Sequence, residues 1–399
     1  MKNICLILPS KLPVPNINGG AIETLLTLLI DENEIQKKVR FTIVCSWANG
    51  IEDATRKYKY TDFYFFKQRN GVIKKAISLF NYIIAKTTGN IDILKTPMHF
   101  DIERIIKNIK PDAVVVEHGI YKNFGFLKKY FNKEQLYLHL HGTGPLLKES
   151  IYNVFGNLIT VSSFLDGYYC GSSRHFHNHY VCLNGINDKV FRQRITIEEK
   201  MLLRKKLNLT AEDYVFLYCG RLVPEKGVLE LVKAICATQQ NTVKLLIVGS
   251  SNFAHASKTK FVEKLESEVE HNPGRVVFTG YIPNDRLYKY YQIADCQVVC
   301  SKCDEAAGLV AVEGTMSGIP LIINDVGGLK EYCDLSNTLV INKHIYKNYD
   351  SISHYLVDEL KTKIEELASA NMHFGASITH IDDRFTSESF YKRFIDLFD

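Results

Sequence analysis

CQVVCSKCDEAAGLVAVEGTMSGIPLIIN, residues 296–324, is the stretch on which the reading of this chain turns. CQVVC (296–300) is a short apolar run of the kind found in strands covered on both faces. LVAVEGTMSG (309–318) reads as a helix that closes at Gly318 ahead of Pro320, and PLIIN (320–324) as a second strand. SKCDEAAG (301–308) is then the loop at the carboxyl end of the first strand. Glu305 and Glu313 stand eight positions apart around a segment otherwise small and apolar. The backbone N–H groups of Gly308, Leu309 and Val310 open the helix without intrahelical partners, which makes an anion site. Two carboxylates beside it would repel the anion. They suit hydroxyls instead, because an ionised carboxylate only accepts hydrogen bonds and sugar hydroxyls donate them. Taken alone, the segment also admits a plainer reading, a helix-start acid and a half-buried acid with an unseen partner.

The same alternation extends both ways. Strand candidates before residue 190 are NICLIL (3–8), FTIVCS (41–46), DAVVVE (112–117), QLYLHL (135–140), LITVS (158–162) and YVCLN (180–184). After it come YVFLYC (214–219), KLLIVG (244–249), RVVFTG (275–280) and TLVIN (338–342). Helical patterns such as VLELVKAICATQ (228–239) and DRLYKYYQIA (285–294) lie between them. Alternating strands and helices predict parallel sheets with helices on both faces, the α/β class. A chain of 399 residues is too long for one ordinary core. Two doubly wound, Rossmann-like domains facing a central cleft are expected, residues 1–190 and 191–380. The break falls in the polar stretch near 185–200. FTSESFYKRFIDLF (385–398) reads as a final amphipathic helix, with Thr386 or Ser387 as its N-cap, so that 381–399 returns to the first domain.

Composition narrows the function. Apolar residues are 46% and charged residues 23% of the chain, as in folded rather than disordered proteins. MKNICLILPSKLP (1–13) has the apolar run of a leader but no small-residue cleavage site, and prolines follow, so it reads as a first buried strand. Of the ten cysteines, Cys5, Cys45, Cys219, Cys296 and Cys300 fall in strand-like runs, as reduced core residues of a cytoplasmic protein do. Charge is uneven. Residues 1–190 hold 24 Lys and Arg against 16 Asp and Glu, or +8, and the remainder holds 25 against 28, or −3. A basic first half implies an anionic partner or surface.

Three further motifs carry chemistry. In CGRLVPEKG (219–227), Arg221 and Lys226 follow a strand and precede a helix. A planar fork and a point charge five positions apart suit a diphosphate, although two surface cations on a solvated turn fit the same pattern. In NINGGAIETLLTLL (16–29), Gly19 and Gly20 allow close backbone approach directly before a helix. The spacing is not G-x-G-x-x-G, which disfavours a dinucleotide dehydrogenase. In YLHLHGTGP (137–145), His139 and His141 share a strand face. No third ligand stands at metal spacing and the chain has no Asp-x-Asp, so no metal is expected.

Taken together and in this order, GGAIETLL, HGTG, VSSFL, LNGINDKVF, CGRLVPEKG, LLIVGSS, VVFTGYIPNDRLYKYYQIADCQVVCS, E-x7-E and GIPLIINDVGGLKE resemble family 4 of the retaining glycosyltransferases, which have the GT-B fold. The resemblance runs from about residue 5 to 335 and is strongest over 214–331. It implies that Arg221 and Lys226 hold the diphosphate of a nucleotide sugar. It further implies that Glu305 binds hydroxyls of the donor sugar and Glu313 the ribose. Gly19 and Gly20 would approach the diphosphate, His141 would sit near the transferred sugar, and Gly280, Tyr281 and Ile282 would meet the base. Donors in the family are most often UDP-linked. Where the family usually has Gly-Phe or Ser-Phe after the first acid, this chain has Ala306-Ala307, and Asn187 stands where Asp is common.

The expected partners are therefore a nucleotide-sugar donor and a glycan or lipid-linked glycan acceptor, with no metal and no nucleic acid. Residues 56–84 interleave seven Lys and Arg with aromatics. This segment fits docking on an anionic membrane surface, or an ordinary strand and helix with a solvated basic face. A cytoplasmic protein, peripheral on the inner membrane face, is the matching expectation. Two other functions stay open: a nucleotide-sugar epimerase of GT-B fold, and a non-catalytic nucleotide-sugar-binding module.

Overall fold

The apolar runs form two all-parallel sheets in this computed structural model, which describes residues 1–67, 76, 79, 80, 83, 87, 96–117, 124–171, 176–250, 259–342, 349–370 and 382–399. The first sheet contains β1 (Asn3–Ile7), β2 (Arg40–Ser46), β3 (Thr61–Phe66), β4 (Ala113–Glu117), β5 (Leu136–Leu140), β6 (Asn157–Thr160) and β7 (Asn178–Val181), in the order β3-β2-β1-β4-β5-β6-β7. The second contains β8 (Tyr214–Cys219), β9 (Val243–Val248), β10 (Val276–Gly280), β11 (Cys296–Val299), β12 (Leu321–Asn324) and β13 (Thr338–Ile341), in the order β10-β9-β8-β11-β12-β13. Each order reverses direction once, beside β1 and beside β8. At such a switch point neighbouring crossovers run to opposite sides, so the loops at the strands' carboxyl ends diverge and leave a ligand crevice.

The chain divides into two compact units, Met1–Gly185 with Ser387–Asp399, and Ile186–Thr386. Central strands β1, β4, β8 and β9 are almost wholly apolar and buried, which is why their sequences show no polar alternation. β3 is absent from the strand candidates above and agrees with the strand that the second reading of 56–84 expected there. It lies at the sheet edge, and its sequence TDFYFF is aromatic and only partly covered, so it lacks the aliphatic run that marks the inner strands. It falls inside the basic, aromatic segment 56–84, much of which lies outside the described residues.

The last helix, Ser387–Ile395, packs on the helix Ala21–Gln36 of the first unit. Tyr391 donates through its hydroxyl to Asn33 Oδ1 at 2.6 Å, and Arg393 donates to the carbonyl of Leu183 at 2.8 Å. Phe394 is fully buried against Phe41 of β2. Among the described residues no helix is long and apolar enough to cross a membrane.

Candidate active site

In the second unit the loops that follow β8 and β11 lie side by side at the switch point. Lys226 Nζ sits 2.5 Å from Glu305 Oε1. The hydroxyl of Ser301 also donates to Oε1 of Glu305, so both contacts fall on one carboxylate oxygen. The backbone fixes this pairing. Gly227 has φ +71°, and a Cβ there would lie 2.0 Å from the carbonyl oxygen of Cys300. Only glycine lets the Lys226 loop rest on the end of β11. The N–H of Lys302 donates to the carbonyl of Glu225 at 2.9 Å, a second tie between the two loops.

A buried ion pair anchors the arrangement from below. Lys302 Nζ lies 2.6 Å from Glu230 Oε1, with the two side chains 4% and 5% exposed, and Ser353 Oγ donates to the same oxygen at 2.7 Å. On the other side, Gly327 (φ +57°) pairs with Glu305 in a single parallel bridge, and the N–H of Gly328 donates to the carbonyl of Glu305 at 2.7 Å. The loop carrying Glu305 is thus held along its length before any ligand arrives.

The helix Leu309–Ser317 starts at Gly308 and ends on Gly318 in the left-handed region, as the sequence predicts. A Cβ at Gly308 would meet Leu329 at 2.5 Å, which explains the glycine by packing. Glu313 accepts from the hydroxyl of Tyr291 at 2.8 Å. Burial pushes the Glu313 carboxyl up to about 7, outweighing the lowering by Tyr291. Arg221 is exposed at the carboxyl end of β8, and its carbonyl accepts from Tyr218 Oη at 2.7 Å. Gly280 (φ +73°), exposed Tyr281 and half-buried Ile282 lie at the end of β10, two strands away from β8 on the same sheet edge.

In the first unit, Gly19 and Gly20 have φ +81° and +110° and lead into the helix Ala21–Gln36. A Cβ on Gly20 would fall 2.0 Å from Oε2 of Glu23, whose Oε1 accepts from Ser10 Oγ at 2.8 Å. Gly20 therefore makes room for a buried carboxylate in the helix's first turn.

His139 and His141 do share a face, and the expectation that no third ligand stands near them is corrected. Glu117 ends β4 opposite His139 in register, 24 residues from His141, and its Oε2 lies 2.8 Å from His141 Nε2 and 3.0 Å from His139 Nδ1. One ligand atom from each of the three lies within 4.8 Å of the others, a set that could hold a metal ion. The His141 contact is also that of a carboxylate–imidazole hydrogen bond. Burial would raise the Glu117 carboxyl, but His139 and His141 together hold it down at about 2. Asp166, Cys170 and His179 form a second such cluster in the same unit.

Residues 199–368, all within the second unit, match the family described as Glycosyl transferases group 1. Over that span the chain is similar to this family. The chain is 33% identical over 154 residues to an uncharacterized glycosyltransferase of Methanocaldococcus jannaschii, a match covering 38% of this chain and 37% of that protein. It is 23% identical over 293 residues to the lipopolysaccharide 1,2-N-acetylglucosaminetransferase of Salmonella typhimurium, covering 69% of this chain and 72% of that one. Its fold is similar to that of Anabaena HepE, whose structure holds UDP and glucose, with a TM-score of 0.68 at 16% identity over 100% of this chain and 99% of that one. That likeness bears out the GT-B class, two parallel Rossmann-like sheets with a returning final helix.

Several side chains that shape these candidate sites were not singled out in sequence. The signal for Glu230 was present, an acid within the apolar face of VLELV. Tyr291, Glu23 and Glu117 carried none, because their partners are distant in the chain. The C-x-x-C spacing of Cys300 and Cys303 also falls in the Glu305 loop, with Cys300 buried and Cys303 exposed, both as free thiols.

Proposed function

We propose that this protein is a retaining glycosyltransferase that moves a sugar from a UDP-linked donor to a hydroxyl of a glycan or lipid-linked glycan during cell-surface polysaccharide assembly. The observation that carries the reading is the contact between Lys226 and Glu305 at the switch point of the second sheet. Both known contacts of Glu305 use Oε1, so Oε2 is the oxygen that accepts from a donor-sugar hydroxyl. Lys226 spends one donor direction on Glu305 and has others for a phosphate oxygen. Arg221 adds a guanidinium, and the N–H groups of Gly308, Leu309 and Val310 add the helix terminus. Ionised Glu313 accepts from the ribose, and Gly280, Tyr281 and Ile282 meet the base. Gly19, Gly20 and His141 keep the donor-side roles that the family resemblance implies.

Cleavage of the sugar–phosphate bond develops negative charge on the leaving diphosphate. Arg221 and Lys226 stabilise that charge where it forms, the largest electrostatic contribution available here. The departing phosphate takes the proton of the acceptor hydroxyl. The UDP and glucose bound to the Anabaena protein support a UDP-linked donor, and the Salmonella transferase supports a glycan acceptor. A cytoplasmic site, peripheral on the membrane, fits the basic segment 56–84.

Incubating the protein with a panel of UDP-sugars, with and without candidate acceptors, tests this reading. Slow UDP release from one sugar, accelerated by an acceptor, is expected. An epimerase would convert the donor with no acceptor present, and a binding module would retain UDP and never turn over.

A further inference from the structure

Glu117 is a carboxylate with 0% exposure at the end of a fully apolar strand. Its cost is unusual, because a buried charge needs partners and an apolar side chain of the same size would need none. Among the described residues its Oε1 has no hydrogen-bond partner, so the group is not there to complete a backbone network. Its contacts among the described residues pass through Oε2. That atom lies 2.8 Å from His141 Nε2 in hydrogen-bond geometry, and 3.0 Å from His139 Nδ1 but off its hydrogen-bonding line. The two imidazoles lie 4.0 Å apart between ring centroids, and Phe394 of the final helix packs 6.0 Å from His139. His139 thus walls one side of the His141 ring, and Glu117 holds its Nε2.

We propose that Glu117 is the positioning residue for His141: Oε2 accepts the Nε2–H bond and thereby fixes both the orientation of the ring and its Nε2-protonated tautomer. A neutral imidazole can carry its proton on either nitrogen, and the bond made by one nitrogen decides which. Without Glu117 the ring rotates and both tautomers populate. The proposal rests on the glycosyl-transfer reading only in giving His141 a part in the reaction. The final helix becomes part of the device, since Phe394 backs the histidine that backs His141.

Two measurements test it. Long-range proton–nitrogen correlation spectra of ¹⁵N-histidine-labelled protein report the tautomer without any turnover. His141 should be Nε2-protonated in the wild type and mixed in Glu117→Leu, with Glu117→Gln close to wild type because its amide oxygen still accepts. In a double-mutant cycle, Glu117→Leu should lower kcat by about 10- to 100-fold, the rate equivalent of a charge-assisted hydrogen bond, and should cost nothing further in His141→Ala. An unchanged His141 tautomer, additive losses, or stoichiometric Zn²⁺ uptake that Glu117→Leu abolishes would each overturn the proposal. If Glu117→Leu fails to fold, a wild-type spectrum with His141 protonated at Nδ1 overturns it alone. Absence of turnover with every UDP-sugar would sink the glycosyl-transfer reading while leaving the tautomer result intact.

Discussion

Lys226 Nζ lies 2.5 Å from Glu305 Oε1, which joins the loop after β8 to the loop after β11 where the second sheet reverses its strand order. Neither residue touches the other in sequence, 79 positions apart. Their meeting follows from the parallel order of the strands and from a glycine that lets one loop lie on the other.

Removing the cation should be costly to turnover and mild for the fold. Lys226 is half-buried and Arg221 exposed, so neither supports a core. Lys226→Ala and Arg221→Ala should each lower kcat for UDP release by about 10²–10³-fold, the usual effect of deleting one donor to a developing anion. Lys226→Arg should restore little, because a planar fork does not replace a point charge in a site shaped for it. Steady-state kinetics with melting curves as control check this; wild-type kcat in either alanine variant would remove the assigned role.

The proposed ribose role of Glu313 predicts that donor binding depends on pH. Its carboxyl is pushed up to about 7 by burial and must be ionised to accept from both ribose hydroxyls. The donor KM should rise as pH falls below 7, by up to about tenfold per unit, and Glu313→Gln should flatten the profile. The stability effect has the opposite sense. The folded value lies above 4.5, so the folded state holds a proton the unfolded chain releases, and this contribution is lost as pH rises from 4.5 through about 7. Glu313→Gln should therefore raise Tm relative to wild type more at pH 8 than at pH 5. A flat wild-type KM profile between pH 6 and 8 would contradict the ribose role.

The pair of Lys302 and Glu230 should matter most when only one member is lost. Lys302→Ala leaves a buried carboxylate uncompensated, which costs about 3–5 kcal/mol in urea unfolding. Replacing both, as in Lys302→Met with Glu230→Leu, should recover most of that loss. Equal losses in the single and double variants would mean that the pair is not coupled.

Gly227 should be intolerant for two separate reasons. Alanine there takes on φ +71° and drives its Cβ into the carbonyl of Cys300. The clash and the left-handed strain together should cost about 2 kcal/mol or more, and donor binding should weaken further because Lys226 moves with the loop. Thermal melts and UDP titrations of Gly227→Ala check both parts.

Much of this was legible in the chain itself, and the reasons differ by element. The inner strands announce themselves because burial on both faces demands unbroken branched residues, as in AVVVE at Ala113–Glu117. The helix Leu309–Ser317 was legible from Gly318 and Pro320, since left-handed closure and a following proline are local requirements. β3 was legible only as one of two readings of 56–84, because an edge strand needs only one covered face. The pairing of Glu117 with His141, and of Tyr291 with Glu313, depends on which strands become neighbours, and no local pattern encodes that. Lys226 and Glu305 could each be marked as chemical, but read separately they went to different parts of a ligand; their direct contact is a property of the fold.

The central claim is that the loops after β8 and β11 together hold a nucleotide diphosphate. Isothermal titration of UDP into the wild-type protein and into Lys226→Ala at pH 8 tests it most directly. The expected result is saturable binding of a single UDP to the wild type, weakened about tenfold or more in the variant while its melting curve stays in place. No binding to the wild type, or the same affinity in both proteins, would contradict it.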